Sequence, residues 1–159
     1  MKRLALFVTA ALLVSGNAYA SSSGGNSGLA LAALIGEQSP ALSPAKKMVL
    51  AHFLAGKTNF PIPPGAGIIV VKASQVTCRM SNVDITRHSC ELKFGAASVT
   101  LNGRRGHELL ATLVENGVPS DGAAGTIYYS VAPITCIVKT AEVQANGGGG
   151  ASCTFTSGP

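Results

Sequence analysis

Four cysteines constrain the fold of this chain more than any other feature. Each stands in a run of alternating apolar and polar residues, and the four are Cys78, Cys90, Cys136 and Cys153. Around Cys78, for example, Val76 and Met80 are the neighbouring apolar positions, with the period of a half-buried strand. Inward-facing cysteines on adjacent antiparallel strands meet the short Cα separation of a disulfide. We predict two disulfides, Cys78 with Cys90 and Cys136 with Cys153, and crossed pairings remain the alternative.

The cysteines and histidines form no sequence motif of a metal site or of a redox centre. The sequence has no CxxC spacing, which a zinc knuckle or a thioredoxin-type redox pair would show. His52, His88 and His107 are far apart in the sequence and form no HxxxH pair. We therefore expect no metal and no cofactor.

The first 20 residues have the pattern of a secretory leader. Lys2 and Arg3 precede the apolar run LALFVTAALLVSG, and the small-x-small motif AYA ends at Ala20. The apolar run is shorter than the about 20 residues that span a bilayer. We expect cleavage after Ala20 and release into the periplasm or medium, with no transmembrane segment in the mature chain. A retained membrane anchor is the alternative.

After the leader, composition divides the chain into two parts. Residues 21–42 begin with SSSGGNSG, typical of a flexible linker. They continue with the apolar patch LALAALIG, for which a short helix and an apolar arm, Leu29–Ile35, are both open. Residues 43–159 are expected to form one domain.

Two segments of that domain carry helix signals. The first begins with Ser43 as N-cap and Pro44 at the first helical position. The second, GRRGHELLATLVENG, ends at Gly117, where Val118 is expected to close a Schellman motif.

Strand patterns account for most of the rest of the domain. The predicted strands are GIIVVKA, VTCRM, CELKF, SVTL, ITCIV and SCTFT. Residues 121–132 are ambiguous, and we favour a helical turn capped by Asp121 over a strand; NGGGG is expected to be a turn. The predicted fold is α+β, an antiparallel sheet of stapled hairpins with two principal helices on one face. Because helix and stapled hairpin follow each other twice, a duplicated α-β-β unit is a further hypothesis.

Charge is distributed unevenly along the chain. Residues 21–105 hold nine Lys/Arg and three Asp/Glu, whereas residues 106–159 hold one and four. The predicted contact residues are four arginines of the basic part, Arg79, Arg87, Arg104 and Arg105. Such a patch suits an acidic protein or an anionic component of the cell envelope. Ordinary solvated arginines are the alternative, and nucleic acid is disfavoured because only eight aromatic residues are present for base stacking.

Catalytic motifs are missing from the sequence. It has no GxSxG nucleophile elbow, and GGGGAS lacks the lysine of a phosphate loop. We therefore expect a non-enzymatic exported binding module. One alternative is a small hydrolase with a dispersed active site and His88 or His107 as base. Another is a structural envelope protein assembled through the arm Leu29–Ile35.

Two stretches, NVDITRHSCELKFG and HELLATLVENGVPSDGAAGTI, resemble segments of small exported bacterial proteins. That resemblance covers residues 74–159 and implies export but no activity. The layout of two local disulfides beside a helix is also similar to secreted inhibitors of proteases and β-lactamases. The cysteine spacing departs from the subtilisin-inhibitor pattern, and no reactive-site motif lies near Cys136.

Overall fold

A computed structural model describes residues 19–81, 83–122 and 126–157. The strands are β1 (Tyr19–Gly24), β2 (Ile68–Ala73), β3 (Gln75–Ser81), β4 (Ser89–Phe94), β5 (Ala97–Asn102), β6 (Ser120–Asp121), β7 (Thr126–Lys139) and β8 (Ala151–Ser157). The helices are α1 (Gly25–Gly36), α2 (Pro44–Leu54), α3 (Gly103–Glu115) and α4 (Thr140–Asn146). The fold is mixed α+β, as the sequence predicts. Most of the expected leader lies outside the described residues.

The long strand β7 organises the single antiparallel sheet. Along one edge it pairs first with β3 and then with β2, which run end to end with only Ser74 between them. Along its other edge it pairs with β6 and β8. β4 and β5 continue the sheet beyond β3, and β1 continues it beyond β8. The register on the β8 side shifts between Val131 and Ile134, around the cis Ala132–Pro133 bond.

Both predicted disulfides are present. Cys78 and Cys90 face each other across β3 and β4, and Cys136 and Cys153 face each other across β7 and β8. In each pair the Cα atoms are 4.0 Å apart, and all four side chains are fully buried. The staples therefore lie on the inner face of the sheet, where the helices pack. The hypothesis of a duplicated unit stays a prediction.

The N-terminal region differs most from expectation. Residues 21–36, predicted to be a flexible linker followed by either a short helix or an apolar arm, form most of β1 and all of α1. Leu31 and Ile35 of α1 have no exposed surface, and the helix packs against α2, α3 and the sheet. Ser23 of β1 hydrogen-bonds Asn116 at the end of α3. The domain therefore includes this region, because a helix that is apolar all round is stable only when it is covered on all sides.

The two predicted helices begin and end as the sequence indicates. The hydroxyl of Ser43 accepts a hydrogen bond from the backbone N–H of Lys46. Gly117 takes the left-handed conformation with φ of 76°, and the N–H of Val118 donates to the carbonyl of Leu113. This is the hydrogen bond of a Schellman motif.

Two local predictions in the C-terminal part are wrong. Residues 126–131 belong to β7 rather than to a helical turn, because each of them pairs with a residue of β3 between Val76 and Ser81. Asp121 lies in the short strand β6 and does not cap a helix. The predicted NGGGG turn is a helical connection, in which α4 is followed by a 3₁₀ helix over Gly147–Gly150.

None of the helices within the described ranges is long and apolar enough to cross a membrane.

Candidate functional site

Two of the predicted contact arginines share one depression on the outer face of the sheet. Because Cys78 faces the core, its neighbour Arg79 faces solvent, and Arg79 lies directly opposite Ser89 of β4. The depression has a volume of about 310 Å³. It is lined by Arg79, Ser81, Arg87, Ser89 and Thr126. Two guanidinium groups and three hydroxyls therefore meet in one concave surface, which we call the arginine pocket.

An aromatic ring holds the guanidinium of Arg79 over the sheet. Tyr128 of β7 is the cross-strand partner of Arg79, and its ring centroid lies 5.7 Å from the guanidinium carbon. A cation over the face of a ring is attracted by the quadrupole of that ring. This contact limits the rotamers of the arginine.

Arg87 reaches the same pocket from the 3₁₀ turn Ile85–Arg87, which connects β3 to β4. Its Nε lies 3.5 Å from Oδ2 of Asp84. Hydrogen bonds from the hydroxyl and the backbone N–H of Thr86, together with the charge of Arg87, hold the pKa of the Asp84 carboxyl below its ordinary value. Asp84 is therefore ionised at neutral pH and partly neutralises Arg87. The ionised Asp84 stabilises the folded domain. This contribution is fully present above the ordinary carboxyl pKa and is lost as the pH falls through the lowered pKa of Asp84.

The other two predicted arginines lie at the start of α3 and do not line the arginine pocket. The Nε of Arg104 and the Nη1 of Arg105 each donate to the carboxylate of Glu108 at 3.0 Å. Arg105 also lies 3.7 Å from the carboxylate of Glu37 in the connection after α1. Arg104 lines a separate hollow together with Thr86, so it lies near the turn that carries Arg87.

A histidine pair lies beneath this turn, and the sequence did not predict it. The Nδ1 atoms of His88 and His107 are 3.0 Å apart, so one ring donates and the other accepts a hydrogen bond. The rings are stacked with centroids 5.2 Å apart, and His88 is buried. The Nε2 of His88 lies 3.4 Å from the carbonyl oxygen of Ser81.

Gly106 allows the close approach that forms this pair. A Cβ at this position would lie 2.6 Å from the carbonyl oxygen of Leu101 and 3.1 Å from that of His88. Both distances are shorter than ordinary carbon–oxygen contacts, so a side chain would push α3 away from β4 and β5. The glycine before His107 is the one local sequence signal that points to the contact.

Metal ligands are not clustered in the described ranges, 19–81, 83–122 and 126–157: they contain no group of three or more His, Cys, Asp or Glu residues that could hold a metal ion. All four cysteines are in disulfides.

Comparisons of the chain with protein-family models, with characterised proteins and with solved structures find no match.

Proposed function

We propose that this protein is an exported binding module that holds an anionic group of a partner protein or of the cell envelope in the arginine pocket. The observation that carries the proposal is the shared position of Arg79 and Arg87 among three hydroxyl groups. Guanidinium groups present several N–H donors in a fixed plane, which suits carboxylate, phosphate and sulfate oxygens. The hydroxyls add donors that carry no charge.

Arg104 and Arg105 have a secondary part in this proposal. Their pairing with Glu108 directs their donors to a carboxylate of the same helix, so they are less available to a ligand. They still add positive potential near the turn that carries Arg87, and such a potential speeds the encounter with an anion.

The contacts of the two histidines give no support to the hydrolase alternative. The hydrogen bonds that the His88 and His107 rings make in the described structure go to each other and to the carbonyl of Ser81. A general base needs a hydrogen bond to the proton that it abstracts, directly or through one water. The assembly alternative required an exposed arm at Leu29–Ile35, and that segment is buried.

The leader pattern and the two disulfides support export, which is one part of the proposal. Disulfides persist in oxidising compartments, and both are fully formed here. We expect N-terminal sequencing of the protein recovered from the periplasm or medium to begin at Ser21. Recovery of chains that retain Met1, in the cytoplasm, would contradict export.

Removal of both pocket arginines is expected to weaken the retention of the protein on immobilised phosphate strongly. We expect Arg79→Ala/Arg87→Ala to weaken binding to phosphocellulose at low salt by about tenfold or more, because two charge-assisted donors are lost. The matched control is Lys57→Ala/Lys72→Ala, which removes the same charge from exposed positions outside the pocket. If both variants elute at the same salt concentration, binding follows net charge and the proposed site is wrong.

The Asp84→Asn variant is expected to bind phosphate about two- to fivefold more tightly. The substitution removes the negative charge beside Arg87 and keeps an oxygen that accepts from Thr86. Exposed ion pairs are weak, so the gain is limited to this range. The same column measures it. An unchanged or earlier elution would indicate that Arg87 does not contact the bound anion.

A further inference from the structure

The arginine pocket continues into a second depression on the outer face of the sheet. Both depressions are bounded by Arg79 and Ser89, and the second has a volume of about 320 Å³. Its other lining residues are Thr77, Glu91, Thr100 and Tyr128. The two depressions adjoin at Arg79 and Ser89 and together extend across β7, β3, β4 and β5, with both arginines at one end. We call this combined surface the trough.

The lining of this trough is suited to a ligand rich in hydroxyl groups. None of its nine lining residues is Leu, Ile, Val, Met or Phe. The central contacts of protein–protein interfaces are usually apolar or aromatic anchors in well-packed pockets. Here the available groups are hydroxyls, one carboxylate, two guanidiniums and the half-exposed ring of Tyr128. The trough therefore offers many hydrogen-bonding groups and one flat apolar face.

Hydrogen bonds within the sheet hold the side chains of Thr77 and Glu91 in place. The hydroxyls of Thr77 and Ser130 are 3.1 Å apart across β3 and β7. The hydroxyl of Ser98 donates to Oε1 of Glu91 at 2.9 Å, which leaves the other carboxylate oxygen for a ligand. Side chains fixed on neighbouring strands lose little freedom when a ligand binds.

We infer that the trough binds an acidic saccharide, with its carboxylate at Arg79 and Arg87 and a neutral sugar at the far end. This inference rests on the proposed function, whose anion site it uses. The carboxylate of Glu91 decides the order of the two sugars, because it accepts hydrogen bonds from sugar hydroxyls and repels a second negative charge. A disaccharide of one uronic acid and one neutral hexose has both properties.

The test compares three small ligands by NMR titration of the full protein. Cellobiouronic acid carries the carboxylate and the neutral sugar, cellobiose lacks the charge, and N-acetylglutamate carries carboxylates without a sugar. We expect cellobiouronic acid to bind about tenfold more tightly than either of the others, since two additional hydrogen bonds are worth roughly that factor. Equal or tighter binding of N-acetylglutamate would indicate an acidic peptide and would overturn the inference.

A pair of variants separates this inference from the proposed function. Glu91→Ala/Thr100→Val should weaken cellobiouronic acid about tenfold and should not weaken N-acetylglutamate. Thr135→Val/Thr154→Val changes outward hydroxyls on the other half of the sheet and should change neither affinity. If binding of both acids depends on Arg79 and Arg87 but not on Glu91 and Thr100, only the saccharide inference fails. If neither acid depends on the arginines, the proposed function fails as well.

Discussion

Replacing Leu31 by alanine is expected to lower the free energy of unfolding by about 2–5 kcal/mol, measured by chemical denaturation. Leu31 has no exposed surface, and its helix α1 is enclosed by α2, α3 and the sheet. Truncation removes apolar burial and leaves a cavity that these rigid neighbours cannot fill. The loss is therefore a large part of the stability of a domain of this size.

Met48 of α2 provides the control for this substitution. Its side chain is 48% exposed, so Met48→Ala is expected to change the free energy of unfolding by no more than about 0.5 kcal/mol. If Leu31→Ala costs no more than Met48→Ala, residues 25–36 are not part of the folded core. The interpretation of this region as an arm outside the domain would then be correct.

Removal of the disulfide between Cys136 and Cys153 is expected to destabilise the domain by about 3 kcal/mol. The cysteines are separated by 17 residues, and closing a loop of that length restricts the unfolded chain by roughly this amount. Changing both residues to alanine avoids a free thiol, and the loss of two buried sulfur atoms from the core adds to the effect. Denaturation of the oxidised wild type and of the Cys136→Ala/Cys153→Ala variant measures the difference.

The second disulfide provides a comparison for the first. The pair Cys78 and Cys90 is separated by 12 residues, so its removal should cost nearly the same. Reduction of both disulfides in the wild type should lower the unfolding midpoint at least as far as either double variant. Identical unfolding curves of the oxidised and reduced protein would contradict the assignment of a stabilising role to these bonds.

Local periodicity explains why the strands, the disulfides and two of the helices could be predicted. Alternation places every second residue on one face of a strand, so the burial of Cys78 and the exposure of Arg79 follow from the pattern alone. The caps at Ser43 and Gly117 depend on residues within one helical turn. These features need no knowledge of distant contacts.

The features that the sequence did not predict depend on contacts between distant segments. β1 has the composition of a linker, and it forms a strand because it pairs with residues 152–157 of β8. Residues 126–131 contain no signal that decides between helix and strand, and their pairing with β3 decides it. The contact of His88 with His107 requires β4, β5 and α3 to be assembled first.

The candidate site shows the same division. The outward direction of Arg79 could be predicted, but its position over Tyr128 depends on the register between β3 and β7. The sequence predicts all four arginines as one contact surface. In the structure Glu108 pairs with both Arg104 and Arg105, whereas Arg79 and Arg87 share the pocket. Spacing along the chain cannot reveal which carboxylates will lie beside which arginines.

Arginine side-chain NMR spectra during titration with inorganic phosphate test the central claim most directly. We predict that the Nε–Hε resonances of Arg79 and Arg87 shift together with one dissociation constant, and that those of Arg104 and Arg105 move far less. Equal shifts of all four arginines, or shifts confined to Arg104 and Arg105, would contradict the claim that the arginine pocket is the anion-binding site.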